Sequence, residues 1–279
     1  MNTWLAYETW IRIAFFLAPF LVFALWEMWR PYRQLRITKS KRWLSNLSLV
    51  ALNTVLLRLL FPTASVGLAL HASQSGLGVF NWLSLPPVLE LAAAVVLLDL
   101  IIYLQHRLFH AVPVLWRFHR MHHVDLDFDV TTGLRFHPGE IVLSQLIKFA
   151  AIAGLGASPL AVLIFEVVLN VSSMFSHSNV HLQDALDRGL RRLIVTPDMH
   201  RVHHSCKRHE YNRNFGFNLS CWDRLLGTYL PRSEEEGRSM NIGLNEMRDP
   251  AVCASIRGML LLPFYKPEKV TPGKSEPFV

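Results

Sequence analysis

The sequence is poor in charge and in cysteine, and both shortages narrow the class of protein. Only 18% of its 279 residues are Asp, Glu, Lys or Arg, whereas 51% are hydrophobic. That balance is too apolar for an ordinary soluble domain. The cysteines Cys206, Cys221 and Cys253 form no C-x-x-C pair. They therefore predict neither a disulfide framework nor a thiolate metal site.

Several catalytic motifs are also missing from the chain. The pair His209-Glu210 is followed by Arg213 where an H-E-x-x-H motif needs its second histidine, and no G-x-S-x-G or P-loop occurs. These absences argue against a zincin-type protease, a hydrolase with a nucleophile elbow and a P-loop nucleotide-binding enzyme.

The hydrophobic residues are concentrated in long runs. Residues 10–29, 44–72, 83–104 and 141–176 each contain at most two Asp, Glu, Lys or Arg. A membrane-spanning helix needs about 20 apolar residues. The last run is interrupted by "GLGASP", which predicts a helical hairpin. We predict an all-α integral membrane bundle of four to five transmembrane helices, the alternative being buried core helices of a soluble protein.

Basic residues follow the first apolar run. Residues 30–42 contain six Lys or Arg and no acid. Cytoplasmic loops collect such charge, so we place this segment inside the cell and residues 71–82 outside. A nucleic-acid patch was the weaker alternative, and we predict no nucleic-acid partner. The first run lacks a preceding basic segment and a cleavage site, which predicts a retained anchor rather than a signal peptide.

This topology predicts three regions. Residues 1–94 form an N-terminal transmembrane anchor region, residues 95–230 a catalytic region with a cytoplasmic helical cap, and residues 231–279 a cytoplasmic tail whose end "EKVTPGKSEPFV" has a disordered composition. All histidine clusters described next would then lie on the cytoplasmic side. We predict an integral protein of the bacterial inner (cell) membrane with its active site on that side.

Histidine is abundant and clustered. Ten of the thirteen histidines form two H-x-x-x-H and two H-x-x-H-H patterns: His106, His110, His119, His122, His123, His177, His181, His200, His203 and His204. On a helix each pattern places its imidazoles on one face. Imidazole suits Fe, Cu, Zn and Ni, and ten ligands are too many for one ion. The repeat therefore predicts a two-metal centre in the cap.

A few other polar residues are candidates for the surroundings of this centre. Asp99 precedes His106 by two helical turns, and Asn170 precedes His177 by the same interval. Both are predicted to accept the second ring N–H of those histidines. His137 is either a neighbour of the centre or structural. Glu166 is either functional or a carboxylate exposed to water or the interface.

The order of these motifs resembles the fatty acid hydroxylase/sterol desaturase superfamily of membrane-bound di-iron enzymes. The resemblance covers about residues 95–230 and rests on "DLIIYLQHRLFH", "FHRMHHVDLDFDVTTGLRFHP", "TPDMHRVHH" and "NFGFNLSCWDRLLGTY". Leu104 departs from the aromatic residue that many members have there. The resemblance implies that the ten clustered histidines bind two non-haem iron ions and that O2 is the co-substrate. No fused cytochrome b5 accompanies the motifs, so it also implies a separate electron-transfer protein.

The expected function is hydroxylation of an apolar lipid chain: a fatty acid, ether lipid, sphingolipid or sterol-like substrate. A desaturase on the same site remains open, because the two reactions diverge only after the first hydrogen abstraction. An alternative from another class is a histidine-rich metal transporter or sensor. A transporter places ligands through the membrane midplane, whereas these motifs cluster at one face.

Overall fold

The computed structural model describes residues 3–235 and 237–266, and this part of the chain is built from helices. We label the main ones α1 (Glu8–Trp29), α2 (Lys39–Leu60), α3 (Ala64–Gln74), α4 (Pro87–Ala111), α5 (Pro113–His123), α6 (Pro138–Leu155), α7 (Pro159–Ser176), α8 (Asp184–Leu190), α9 (Pro197–His203), α10 (Cys221–Leu225) and α11 (Ile256–Leu261). The described residues contain isolated β-bridges but no strand. The all-α prediction is confirmed.

Five stretches of the described residues are long and apolar enough to cross a membrane, in agreement with the predicted four to five. They are Glu8–Trp29, Lys39–Trp82, Pro87–Ala111, Pro138–Leu155 and Pro159–Ser176. The second stretch is interrupted, because α2 ends at Leu60 just before Pro62 and α3 begins at Ala64. Helix α7 packs against α1, α3 and α4 and lies at the centre of this bundle.

The predicted hairpin is formed by α6 and α7. Gly156 ends α6 in a left-handed conformation (φ 68°), and the Ser158 side chain caps the start of α7. A Cβ on Gly78 would lie 2.2 Å from the Gly156 nitrogen. The hairpin tip therefore packs directly against residues 77–81, at the other end of α7 from His177.

Glu166 lies inside the bundle and is paired with cations. Its carboxylate contacts Lys148, and it accepts from Arg12 Nη2 at 2.7 Å and from Ser65 Oγ at 2.7 Å. Paired and hydrogen-bonded charges are the form in which ionised groups are tolerated in an apolar interior. The open question about Glu166 is thus answered: it joins α1, α3, α6 and α7.

The basic segment 30–42, predicted to be a cytoplasmic loop, is only partly a loop, because helix α2 begins at Lys39. Arg42 is buried, and it contacts Asp125 and donates from Nε to Asp129 Oδ2 at 3.0 Å. Burial alone raises the pKa of Asp125, but the guanidinium groups of Arg42 and Arg135 hold this pKa below its ordinary value. Part of the basic charge therefore balances buried carboxylates rather than facing solvent.

The segment from residue 231, predicted as a cytoplasmic tail, packs against the helices in its described part up to residue 266. Met259 and Leu262 are fully buried in a core with Met121 and Leu126. The Arg120 guanidinium donates to the Leu262 carbonyl at 2.8 Å. Apolar burial against α5 holds this segment in place. The end "EKVTPGKSEPFV" lies outside the described residues.

Candidate metal centre

Nine of the ten predicted histidine ligands converge in two adjacent groups. Cluster one contains His106, His110, His119, His123 and His203. Cluster two contains His122, His177, His200 and His204. Within each cluster every residue offers one ring nitrogen, and these nitrogens all lie within 4.8 Å of one another. The rings of His123 and His204 stack at 4.7 Å and place the two clusters side by side.

The convergence follows from helix geometry. The end of α4 carries the first H-x-x-x-H pair, α5 carries the first H-x-x-H-H triplet, and α9 with its C-terminal residue carries the second. Residues i, i+3 and i+4 share a helix face. On α5 that face is divided: His119 and His123 join cluster one, and His122 joins cluster two. Helix α5 therefore contributes histidines to both clusters.

In cluster one, two unprotonated ring nitrogens face each other with their lone pairs. His106 donates from Nδ1 to the Phe215 carbonyl at 2.8 Å, and His203 donates from Nδ1 to the Arg213 carbonyl at 2.7 Å. A neutral imidazole that donates from Nδ1 has an unprotonated Nε2. The two Nε2 atoms nevertheless lie 3.1 Å apart. Two facing lone pairs at this distance repel each other unless a cation lies between them.

Cluster two has the same arrangement around His177. Its Nδ1 donates to the Ser173 carbonyl at 2.7 Å, which leaves Nε2 unprotonated. That Nε2 lies 3.0–3.2 Å from the Nε2 atoms of His122, His200 and His204. One acceptor atom thus faces three other imidazole nitrogens, as expected around a shared metal ion.

Burial keeps these imidazoles neutral, which is the form that binds metals. It lowers the pKa of His177 to about 4. Burial, reinforced by neighbouring histidines, also lowers the pKa of His122, His123, His200, His203 and His204 well below the ordinary value. Uncharged imidazole nitrogens of this kind are suited to binding cations.

The nitrogen spacings agree with metal binding. Metal–imidazole bonds of about 2.0–2.1 Å place two nitrogens on one ion roughly 2.8–3.4 Å apart, for ligand angles between octahedral and tetrahedral. The observed Nε2–Nε2 contacts of 3.0–3.2 Å lie within this range. In addition, both ring nitrogens of His123 and Nε2 of His110 are buried without a hydrogen-bond partner. The residues present therefore fit a dimetal centre.

Glu140 is a neighbour of the centre that the sequence reasoning missed. It lies in the first turn of α6, is buried, and accepts from His119 Nδ1 at 2.6 Å. A carboxylate in this position fixes the ring orientation and increases the basicity of the other ring nitrogen. The signal that could have found it is an acid at the start of an apolar span, since such acids are costly unless used.

His181 does not join either cluster, contrary to the expectation. Helix α7 ends at Ser176, so His177 and His181 do not share a helix face despite their spacing. His181 is exposed, its Nδ1 donates to Asp198 Oδ2 at 2.8 Å, and its ring stacks on Tyr32 at 4.8 Å.

Asp99 is buried but does not accept from His106, contrary to the prediction. The carboxylate accepts instead from Trp222 Nε1 at 2.8 Å and from the Leu219 N–H at 3.2 Å. Two helical turns separate Asp99 from His106 by about 10.5 Å along the axis, too far for direct contact. Asp99 therefore attaches the loop before α10 to helix α4.

Asn170 is also placed away from the role predicted for it, and His137 takes the structural one of its two predicted roles. Asn170 donates to the Glu166 carbonyl one turn earlier in α7, at 3.0 Å. The His137 ring caps α6 by accepting from the Gly139 N–H, and its Nε2 donates to the Leu260 carbonyl at 3.1 Å. His137 is thus structural, and the Ser173 carbonyl takes the place expected for Asn170.

Cluster one is reached from outside at His110. A cavity of about 740 Å³ is lined by His110 together with Pro113, Trp116 and Tyr211. The rings of Trp116 and Tyr211 stack at 5.3 Å. His110 thus connects the buried centre to an open space at the end of α4.

The fold and the site together define a class: the described part of the chain is helical, with five candidate membrane spans and a pair of candidate metal sites formed by histidines. Comparison with known proteins identifies the family. Residues 91–228 match the "Fatty acid hydroxylase" family model. This chain belongs to the fatty acid hydroxylase superfamily.

Three relatives show the breadth of this similarity. The chain is 34% identical to ornithine lipid hydroxylase OlsE of Rhizobium tropici over 146 residues, covering 52% of this chain and 43% of that protein. It is 31% identical to human alkylglycerol monooxygenase (48% and 29% covered). It is 28% identical to human cholesterol 25-hydroxylase (47% and 48% covered). The matches thus span less than half of each relative's length. No solved structure matches the chain at comparable significance.

Proposed function

We propose that this chain is a membrane-bound non-haem di-iron oxidoreductase that uses O2 to hydroxylate an apolar lipid chain. The observation that carries the proposal is the convergence of nine imidazoles into two adjacent clusters with facing Nε2 lone pairs. The names of the relatives support lipids as the substrate class and hydroxylation as the reaction. The substrate is a fatty acid, ether lipid, sphingolipid or sterol-like lipid.

The residues of the chain have distinct tasks in this proposal. When bound, a pair of iron ions supplies the oxidising power that breaks an unactivated C–H bond, which acid–base side chains lack. Cluster one and cluster two hold one ion each. Glu140 and the carbonyls of Ser173, Arg213 and Phe215 fix the imidazole tautomers, so that Nε2 is the binding atom. Burial excludes water that would compete for the site.

The location of the centre suits a lipid substrate. Helix α4 carries exposed leucines at positions 104 and 108 on the same turns as His106 and His110. Because residues two apart lie on opposite faces of a helix, α4 can contact acyl chains with these leucines while its other face holds the two histidines. We place the protein in the bacterial inner membrane with the centre on the cytoplasmic side. A separate protein supplies the electrons.

The test combines metal analysis with lipid analysis. Protein purified from iron-supplemented cells should contain about two iron ions per chain by inductively coupled plasma mass spectrometry. Cells that express it should accumulate lipids one oxygen atom heavier than those of cells that express His200→Ala. Stoichiometric zinc without iron would contradict the proposal, and lipids two hydrogens lighter would identify a desaturase instead.

A metal transporter or sensor is less consistent with the site. Transport requires ligands along a path through the bundle. Among the described residues, the groups able to hold a metal are these two clusters and one group outside the spans, His209, Glu210 and Glu234. Glu210 in that group already accepts from Ser233 Oγ and the Glu234 N–H.

A further inference from the structure

A second cavity, of about 700 Å³, opens on the cap near cluster two and is rich in arginine. Its arginines are Arg188, Arg191, Arg192, Arg201, Arg224 and Arg232, and its acids are Asp184, Asp187, Asp198 and Glu235. Cations therefore outnumber carboxylates in the lining. We call this lining the arginine surface.

Three of the four carboxylates of this surface are already engaged, and the fourth, Asp184, is exposed with His181 Nε2 at 3.7 Å. Asp187 pairs with Arg191, and Asp198 pairs with Arg201. Glu235 lies 3.4 Å from Lys207 Nζ. Arg188 and Arg192, by contrast, are exposed, four residues apart at the end of α8. The electrostatic potential at the arginine surface is therefore positive.

A continuous stack of flat groups leads from the arginine surface to cluster two. The ring of Tyr32, half-buried in the cavity wall, lies 4.5 Å from the Arg201 guanidinium. The same guanidinium lies 5.4 Å from the Phe128 ring. Phe128 in turn stacks on His177 at 5.5 Å and contacts His204 at 5.2 Å. Only three side chains thus separate the cavity from two members of cluster two.

We propose that the arginine surface is the docking site of an acidic electron-transfer protein, and that electrons reach cluster two along Tyr32, Arg201 and Phe128. This inference rests on the proposed function, which requires an external reductant. Opposite charges steer redox partners together, and such encounters need only a small interface. The exposed His181, stacked on Tyr32, lies at the rim of this site.

The electron balance is simple. Hydroxylation consumes O2, one C–H bond, two electrons and two protons, and it yields the alcohol and water. Each docking event would deliver one electron, which an iron–sulfur centre in the donor loses and the iron held by the two clusters would take up. Two events complete one turnover.

Charge reversal tests the docking site. The iron-loaded protein in phosphatidylcholine nanodiscs is titrated with an acidic [2Fe–2S] ferredoxin, and binding is measured by interferometry at low and high salt. Arg188→Glu and Arg192→Glu should each weaken binding by about tenfold at low salt, with a smaller effect at high salt. The matched control is Arg257→Glu, the same change at an exposed arginine of α11, which should bind like the unaltered chain.

A ring deletion tests the electron path. Tyr32→Leu removes the ring beside Arg201, whereas Tyr32→Phe keeps it. Stopped-flow oxidation of reduced ferredoxin should slow at least several-fold with Tyr32→Leu and stay unchanged with Tyr32→Phe, at equal iron content. Equal rates for these two variants would overturn the path.

The same experiments separate this proposal from the proposed function. Reduced methyl viologen, a small cation, should reduce all variants at one rate, because it needs no acidic docking partner. A centre that methyl viologen cannot reduce contradicts the proposed function itself. The docking site is wrong if methyl viologen reduces the centre and ferredoxin binds the unaltered chain and the Arg192→Glu variant equally. It is also wrong if methyl viologen reduces the centre and ferredoxin binds neither chain.

Discussion

His181 and His200 have the same side chain but opposite surroundings, and metal content should distinguish them. His200 is buried with Nε2 at 3.0 Å from His177 Nε2, whereas His181 is exposed and bonded to Asp198. His200→Ala should lose roughly half or more of the bound metal, because removing a ligand opens the site. His181→Ala should retain all of it. Mass spectrometry of purified protein measures both, and equal losses would restore His181 as a ligand.

This difference shows how far spacing alone predicts a site. The pair His106 and His110 lies within α4, so the i, i+4 rule places both rings on one face, and both join cluster one. The same spacing fails at His177 because α7 ends one residue earlier. The sequence predicts periodicity within a helix, but the end of the helix depends on packing around it.

Glu140 should be essential for tight metal binding without being a ligand. Glu140→Gln removes the negative charge that accepts from His119 Nδ1 and keeps the side-chain size. Loss of such a partner typically weakens metal affinity about 10–100-fold. Competition with a chromogenic chelator measures the affinity. The control Glu90→Gln makes the same change at the far end of the bundle, where Glu90 accepts from the Ser158 N–H. An unchanged metal affinity in Glu140→Gln would contradict the claim that the Glu140 carboxylate strengthens metal binding through His119.

At the scale of elements, Asp99 joins helix α4 to the loop that precedes α10. Asp99→Asn removes the charge of the acceptor and Trp222→Phe removes the donor of the same hydrogen bond, and each should cost about 1.5–3 kcal/mol of unfolding free energy. The double variant should cost less than the sum, because the two residues share one interaction. Denaturant unfolding in detergent measures this. Additive costs, or metal loss as severe as that of His106→Ala, would contradict the structural role.

Helix α2 is held to the loop after α5 by one buried cation. Arg42→Met leaves Asp129 with an uncompensated buried charge, whereas Asp125 keeps Arg135, and a buried charge that loses its partner typically costs about 3–5 kcal/mol. The adjacent Lys41 is exposed, so Lys41→Met should be nearly neutral. Thermal unfolding in detergent compares the two. Similar stability of both variants would show that the carboxylates find other partners.

These tertiary partners explain what the sequence could not provide. Long apolar runs predict spans because hydropathy is a local property, and the described residues contain five helical stretches long and apolar enough to cross a membrane. The Arg42–Asp125 pair is separated by 83 residues, and a basic segment looks equally basic whether it is solvated or buried. The same holds for the C-terminal segment. Met259 and Leu262 are buried because they pack against α5, and this contact cannot be read from the sequence of the segment.

At the scale of the whole molecule, the bundle has two distinct ends. One end holds both histidine clusters and the segment 30–42, and the other holds the hairpin tip beside residues 77–81. Helix α2 is about 33 Å long, close to the thickness of the hydrocarbon core. The two ends therefore lie on opposite sides of a membrane in our topology.

Cysteine labelling tests this topology and its direction. Ser40→Cys and Ser75→Cys each place an exposed thiol at one end of the bundle, in a background where the partly exposed Cys206 and Cys221 are serine. A membrane-impermeant maleimide should label Ser75→Cys in intact cells and Ser40→Cys only after permeabilisation, because basic segments stay in the cytoplasm. Labelling in detergent, where both thiols react, provides the control for accessibility. Equal labelling of the two in intact cells would refute the opposite-side placement, and the reverse pattern would put the histidine clusters outside.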